Sequence, residues 1–161
     1  MKTYRIGILG CRGRGTAAAR AYHAHPRTEI VGLCDLVQER LDTLGEEVNV
    51  TAQFTDLDEM IRQIQPDIVA IPTGTEFHYD LCMRVLEHGV NIEVEKPMCV
   101  DLVQADAVIA KAKEKACRSP STTKAGSGHR CRHSHKPLMP ERSVTCAICT
   151  AVGKVTTAVT V

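Results

Sequence analysis

The sequence has no tryptophan, and its only phenylalanines are Phe54 and Phe77. Aromatic residues make up 3% of the chain, too few to build the stacked platform on which single-stranded nucleic acid is held. Also missing is any apolar run of the ~18 residues that a membrane-spanning helix needs. Residues 1–9 are too short and too interrupted for the apolar core of a secretion signal. Charge of one sign is lacking as well: 20 basic and 19 acidic residues leave a formal net charge of +1. The overall balance therefore points to neither nucleic acid nor a membrane surface as a partner. These absences lead us to expect a soluble, cytoplasmic protein. Eight cysteines are present, but Cys11, Cys34, Cys82 and Cys99 are scattered through the first part without the spacing of a disulfide framework.

What is there fits one globular domain. A chain of 161 residues that is 43% hydrophobic can bury a core of ordinary size. From the start to about residue 115, strand-like and helix-like segments alternate. Residues 4–9 form an apolar strand, and 15–25 an alanine-rich helix. Residues 29–34 form a second strand that ends at Asp35. Val37, Leu41, Leu44 and Val48 then fall at helical spacing. Residues 52–54 make a short strand. Asp56 is placed to cap a helix with the stripe Leu57, Met60, Ile61 and Ile64. Asp67 to Ile71 is apolar in every residue after the first, as in a strand covered on both faces. Thr75 is placed to cap the next helix, whose buried face carries Leu81, Cys82, Val85 and Leu86 and whose stop is Gly89. Residues 91–94 form the last strand. Asp101 then caps a helix bearing Leu102, Ala105, Ile109 and Ala112. Five β–α repeats with short links imply a doubly wound α/β fold: a parallel sheet with helices on both faces.

The character changes near Ala116. Glu141 is the only acidic residue beyond Lys115, against Arg118, Lys124, Arg130, Arg132, Lys136, Arg142 and Lys154. The expected division is a domain over residues 1–115 and an irregular basic tail over 116–161. The tail reads as a disordered extension, a small metal-binding segment, or a stretch translated out of frame. The last reading is favoured, because the break is abrupt and falls where a sixth strand is due. The sheet is then incomplete at its C-terminal edge. Cys146 and Cys149 have zinc-ligand spacing, with His129, Cys131, His133 and His135 upstream. One such pair without a matched second is weak grounds for a metal, and none is expected.

The first strand runs into Gly10-Cys11-Arg12-Gly13-Arg14-Gly15. A glycine-rich turn between strand and helix lets the backbone approach a pyrophosphate and aims the helix N-terminus at it. Gly10 supplies a tight turn, Gly13 a close approach, and Gly15 close packing of helix on strand. Counted from Gly10, Arg12 stands where a second glycine is usual; Arg12 and Arg14 add positive charge toward phosphate. Asp35 follows Gly15 by twenty residues and ends the second strand, where an acid receives the adenosine ribose hydroxyls. Its charge also repels a 2′-phosphate, and Leu36 rather than Arg or Lys comes next. The combination predicts dinucleotide binding in a Rossmann fold, with NAD preferred over NADP.

Two further segments lie at later strand ends: Pro72-Thr73 with His78 beyond, and Glu95-Lys96-Pro97. Taken alone, a strand-end lysine is a solvated charge and a first-turn histidine a surface residue. In this order, with Gly89-Val90-Asn91-Ile92 leading in, the chain resembles the Gfo/Idh/MocA oxidoreductases. That family includes glucose–fructose oxidoreductase and inositol dehydrogenase. The resemblance covers about residues 3–115. It implies a hydride transfer between NAD(P) and a hydroxyl carbon of a sugar- or cyclitol-like substrate. It implies that Gly10, Gly13 and Gly15 hold the pyrophosphate and Asp35 the ribose. Pro72, Thr73 and His78 are implied to line the cofactor crevice. Glu95, Lys96 and Pro97 are implied to lie near the nicotinamide, with Lys96 the catalytic candidate that positions or polarises substrate. The family's second domain carries most substrate contacts and the oligomer interface, and nothing after Lys115 resembles it. The expectation is accordingly a nucleotide-binding chain without turnover of its own. The alternative is a dinucleotide sensor whose tail contacts a partner or zinc.

Overall fold

Five strands and five helices alternate along the chain in the computed structural model, which describes residues 2–116. The strands are β1 (Tyr4–Leu9), β2 (Thr28–Cys34), β3 (Gln53–Phe54), β4 (Ile68–Ile71) and β5 (Asn91–Val94). The helices between and after them are α1 (Arg14–Ala24), α2 (Gln38–Val48), α3 (Leu57–Ile64), α4 (Thr75–Glu87) and α5 (Leu102–Ala116). The strands form one parallel sheet in the order β3-β2-β1-β4-β5. The doubly wound α/β class expected from the repeats is the class observed.

The sheet divides the interior into two apolar clusters. Ile6, Ile8, Leu33 and Ala70 meet Ala19 and Tyr22 of α1 and Leu41 and Leu44 of α2. Leu9, Val69, Ile71 and Val94 meet Met60 of α3, Cys82 and Val85 of α4, and Val108 of α5. Strands β1 and β4 supply both clusters, which is why their sequences read as nearly unbroken apolar runs.

The helix boundaries follow local chemistry. The Asp56 carboxylate accepts from Glu59 N at 2.8 Å, and that of Asp101 from Gln104 N at 2.8 Å, so both act as the expected caps. Helix α4 stops just before Gly89, whose φ of +71° suits glycine. Two expectations are corrected. Gly74, not Thr75, occupies the cap position of α4, and no side chain bonds there. The buried residue of α5 is Val108, while Leu102 is 81% exposed. Of the expected stripe, Ala112 packs beside Val108 against the core, whereas Leu102 does not. The basic tail, its out-of-frame reading and the Cys146–Cys149 set lie outside the described residues. Among the described residues no helix is long and apolar enough to cross a membrane.

Candidate functional site: the crevice at the carboxyl ends of β1, β2, β4 and β5

The sheet order reverses between β1 and β4. The turns that follow these two strands leave in opposite directions and open a crevice at their carboxyl ends. The glycine loop follows β1. Gly10 has φ +100°, and its N–H donates to Cys34 O at 2.7 Å, which carries the β1–β2 ladder one residue into the loop. At Gly15 a Cβ would stand 1.8 Å from Gly10 O, so only glycine lets α1 start this close to the strand. Gly13 is the N-cap of α1, with φ +48° and ψ −92°. A Cβ there would meet nothing within 4 Å, so Gly13 faces open space. Gly15 N donates to Arg12 O at 2.9 Å, but among the described residues the cap carries no side-chain hydrogen bond and the first turn no acid, which leaves the positive pole of α1 available to an anion. Arg12, Gly13 and Arg14 are exposed, whereas Gly15 is buried.

Asp35 closes the second side. It is 8% exposed. One carboxylate oxygen accepts from Cys11 N at 2.8 Å, and the other from Val37 N at 2.9 Å. Arg40 Nη1 lies 3.3 Å from the second oxygen. The acid thus ties the end of β2 to the glycine loop, and Oδ2 retains acceptor capacity for a further donor. Beside this link lies a cleft of about 380 Å³, lined on one side by Arg12, Gly13 and Thr16 and on the other by Glu39, Arg40 and Thr43. Leu36, read in the sequence only for not being basic, is 89% exposed next to Asp35 in the chain. Burial, with Asp35 and Cys34 beside it, pushes the Cys11 thiol up to about 12; burial likewise raises Cys34 to about 12. Both stay protonated and are packing groups rather than nucleophiles.

Pro72 and Thr73 follow β4 and pack on the glycine loop. Thr73 Cγ2 stands 3.0 Å, and Pro72 Cγ 3.5 Å, from where a Cβ on Gly10 and on Gly15 respectively would be. Thr73 Oγ1 is buried and has no hydrogen-bond partner among the described residues. The Glu95-Lys96-Pro97 turn follows β5 and contains a cis Lys96–Pro97 peptide bond. Lys96 and Pro97 are exposed and Glu95 is half-buried.

His78 is not the surface residue that a first-turn histidine suggests: its side chain is 0% exposed. Nδ1 lies 2.9 Å from Pro97 O and Nε2 3.1 Å from Thr73 O, so the ring joins the turns that follow β4 and β5. The signal was in the sequence: His78, Cys82 and Val85 share the i, i+4, i+7 stripe of α4, and all three are buried.

These residues fit a dinucleotide. The cradle at Gly13 is open, the α1 terminus is uncapped, and a buried acid ends β2. A family model described as "Oxidoreductase family, NAD-binding Rossmann fold" matches residues 4–121. The chain belongs to the Gfo/Idh/MocA family.

The chain is 30% identical over 111 residues to UDP-N-acetylglucosamine 3-dehydrogenase of Acidithiobacillus ferrooxidans, a match covering 69% of this chain and 34% of that protein. Its fold matches that of GenD2 from gentamicin A biosynthesis in complex with NAD, at TM-score 0.69 and 22% identity, over 72% of this chain and 33% of the other. A 3-ketoreductase from Actinomadura kijaniata in complex with TDP-benzene and NADP matches at TM-score 0.67 and 24% identity, over 71% and 36%. Relatives of this fold thus bind NAD in one case and NADP in another. The chain spans about a quarter to a third of the length of the curated relatives it matches.

Proposed function

We propose that this chain binds NAD(H), in preference to NADP(H), as the cofactor domain of a dehydrogenase acting on a sugar- or cyclitol-like alcohol. The observation that carries this reading is the 2.8 Å bond from Cys11 N to Asp35 Oδ2. It sets a carboxylate against the glycine loop, where a ribose joins a pyrophosphate. There the free acceptor capacity of Asp35 suits a ribose hydroxyl, and its charge opposes a 2′-phosphate. Arg12 and Arg40 lie on the same cleft, but Arg40 pairs with Asp35, and Glu39 and Glu47 also line it. The acids therefore offset the cations where a 2′-phosphate would sit. Leu36 offers an apolar surface for the adenine.

Gly10, Gly13 and Gly15 hold the pyrophosphate on the amides of α1, with Arg12 and Arg14 adding positive charge. Pro72 and Thr73 form the crevice wall, and the unpartnered Thr73 hydroxyl is a hydrogen-bond donor in it. Glu95, Lys96 and Pro97 lie on the nicotinamide side. Lys96 is exposed and makes no ion pair among the described residues, so its ammonium is free to position or polarise a substrate oxygen. The dinucleotide, when bound, supplies the hydride acceptor or donor. Substrate selection belongs to parts of the relatives that this chain does not match.

Titrating the full chain with NADH and with NADPH, followed by nicotinamide fluorescence, tests the proposal. NADH is expected to bind at least about tenfold more tightly, a difference of ~1.4 kcal/mol. Tighter binding of NADPH overturns the specificity, and binding of neither overturns the function.

A further inference from the structure

Lys96 sits on a turn with few anchors. Among the described residues, the stretch 95–99 is held by two hydrogen bonds. One is Glu95 N to Ile71 O, long at 3.4 Å, which closes the β4–β5 ladder before Lys96. The other is the 2.9 Å contact between His78 Nδ1 and Pro97 O, immediately after Lys96. Pro97 has no N–H to offer, so the turn cannot extend the ladder itself.

We propose that His78 is a positioning residue for Lys96: its Nδ1–H donates to Pro97 O and fixes the turn on which Lys96 stands. This rests on the reading of Lys96 and the nicotinamide side given above. His78 is fully buried and lies in the first turn of α4. Of its two ring contacts the one to Pro97 O is the shorter, and the N–H is assigned to it. The Thr73 carbonyl, 3.1 Å from Nε2, then faces a lone pair. The turn after β5 is bonded, and the turn after β4 is only pressed against the ring. His78 thereby makes the lysine turn a fixed reference of the crevice.

The protein itself gives the first test. A long-range 1H–15N spectrum of the labelled full chain is expected to show His78 with its proton on Nδ1. A proton on Nε2 alone overturns the proposal. The second test compares His78→Asn, whose amide nitrogen stands near Nδ1, with His78→Gln, whose amide nitrogen stands near Nε2. The ligands are NADH and ADP-ribose, which lacks the nicotinamide. His78→Gln is expected to weaken NADH about tenfold while leaving ADP-ribose within about twofold, and His78→Asn to restore most of the NADH affinity. A merely structural role lowers both ligands together, and that result, or equal damage from Asn and Gln, overturns the proposal. If the unsubstituted chain binds neither ligand, the cofactor reading fails on its own. The anchor is then judged on the backbone amide resonances of Lys96 and Met98: they are expected to shift in His78→Gln and hold in His78→Asn, and resonances unmoved in both overturn it.

Discussion

At Gly15 the backbone leaves room for a hydrogen and nothing larger, because a Cβ would stand 1.8 Å from Gly10 O. Gly15→Ala must push α1 away from β1. The expected cost is roughly 1–3 kcal/mol, the usual range for forcing a methyl group into packed structure. Thermal denaturation should show the loss, and NADH binding should fall with it because the α1 amides move. Gly13 is the contrast. A side chain there meets nothing, but φ +48° with ψ −92° is strained for any L residue and the methyl projects into the cradle. Gly13→Ala is expected to weaken NADH more than it lowers the melting temperature. If both variants lose stability equally and bind equally well, the loop is a packing turn and not a phosphate cradle. The turn at Gly10 and the close packing at Gly15 were legible because spacing and residue type state them: three glycines, then an acid twenty residues on. The burial of His78 was missed because a histidine in a first helical turn reads as polar, although its stripe with Cys82 and Val85 already assigned it inward. Leu36 was half-read, since its exposure beside Asp35 depends on how the chain leaves β2.

The elements themselves were legible wherever the periodicity was clean. Strands β1, β2, β4 and β5, and helices α2 and α3, follow from their apolar spacing and caps. Helix α5 was the weakest, because alanines at many positions blur its face. What docks it on α4 is partly polar. Glu87, near the end of α4, pairs with Lys111 and Lys115 of α5. These hydrogen bonds hold the Glu87 carboxyl down at about 2, from 4.5. A carboxylate held low in the folded protein contributes stability that is present above its unfolded value and is lost as pH falls through the folded one. The α4–α5 contact should therefore loosen between about pH 4.5 and pH 2. Glu87 is exposed, so salt should weaken the effect. Hydrogen exchange of the α5 amides at falling pH is the measurement. Protection that declines in this window in the parent chain, and is already reduced and flat in Glu87→Gln, is the expected outcome. An identical profile in both removes Glu87 from the docking of α5.

Across the whole molecule, the crevice is assembled where the sheet order reverses, so it needs β1, β2, β4 and β5 in place before any residue acts. That placement was legible from five β–α repeats alone, because parallel strands with helical crossovers admit few orders. The surface beyond the lysine turn was not legible, since exposure depends on what covers each residue in space. Val100, Leu102 and Val103 are 59%, 81% and 79% exposed, a run of apolar side chains at the start of α5. In water such a run favours association between copies. The variant Val100→Ser, Leu102→Gln, Val103→Gln is expected to sediment as a smaller species than the parent at the same concentration. Its melting temperature should change little, because an exposed substitution typically shifts stability by no more than about 0.5 kcal/mol. NADH affinity should hold too, since none of the three belongs to the cofactor crevice. A large drop in melting temperature would show instead that these side chains are covered within one chain. An unchanged sedimentation profile would show that association runs through another surface, of which the edge of the four-residue strand β5, unpaired among the described residues, is the next to test.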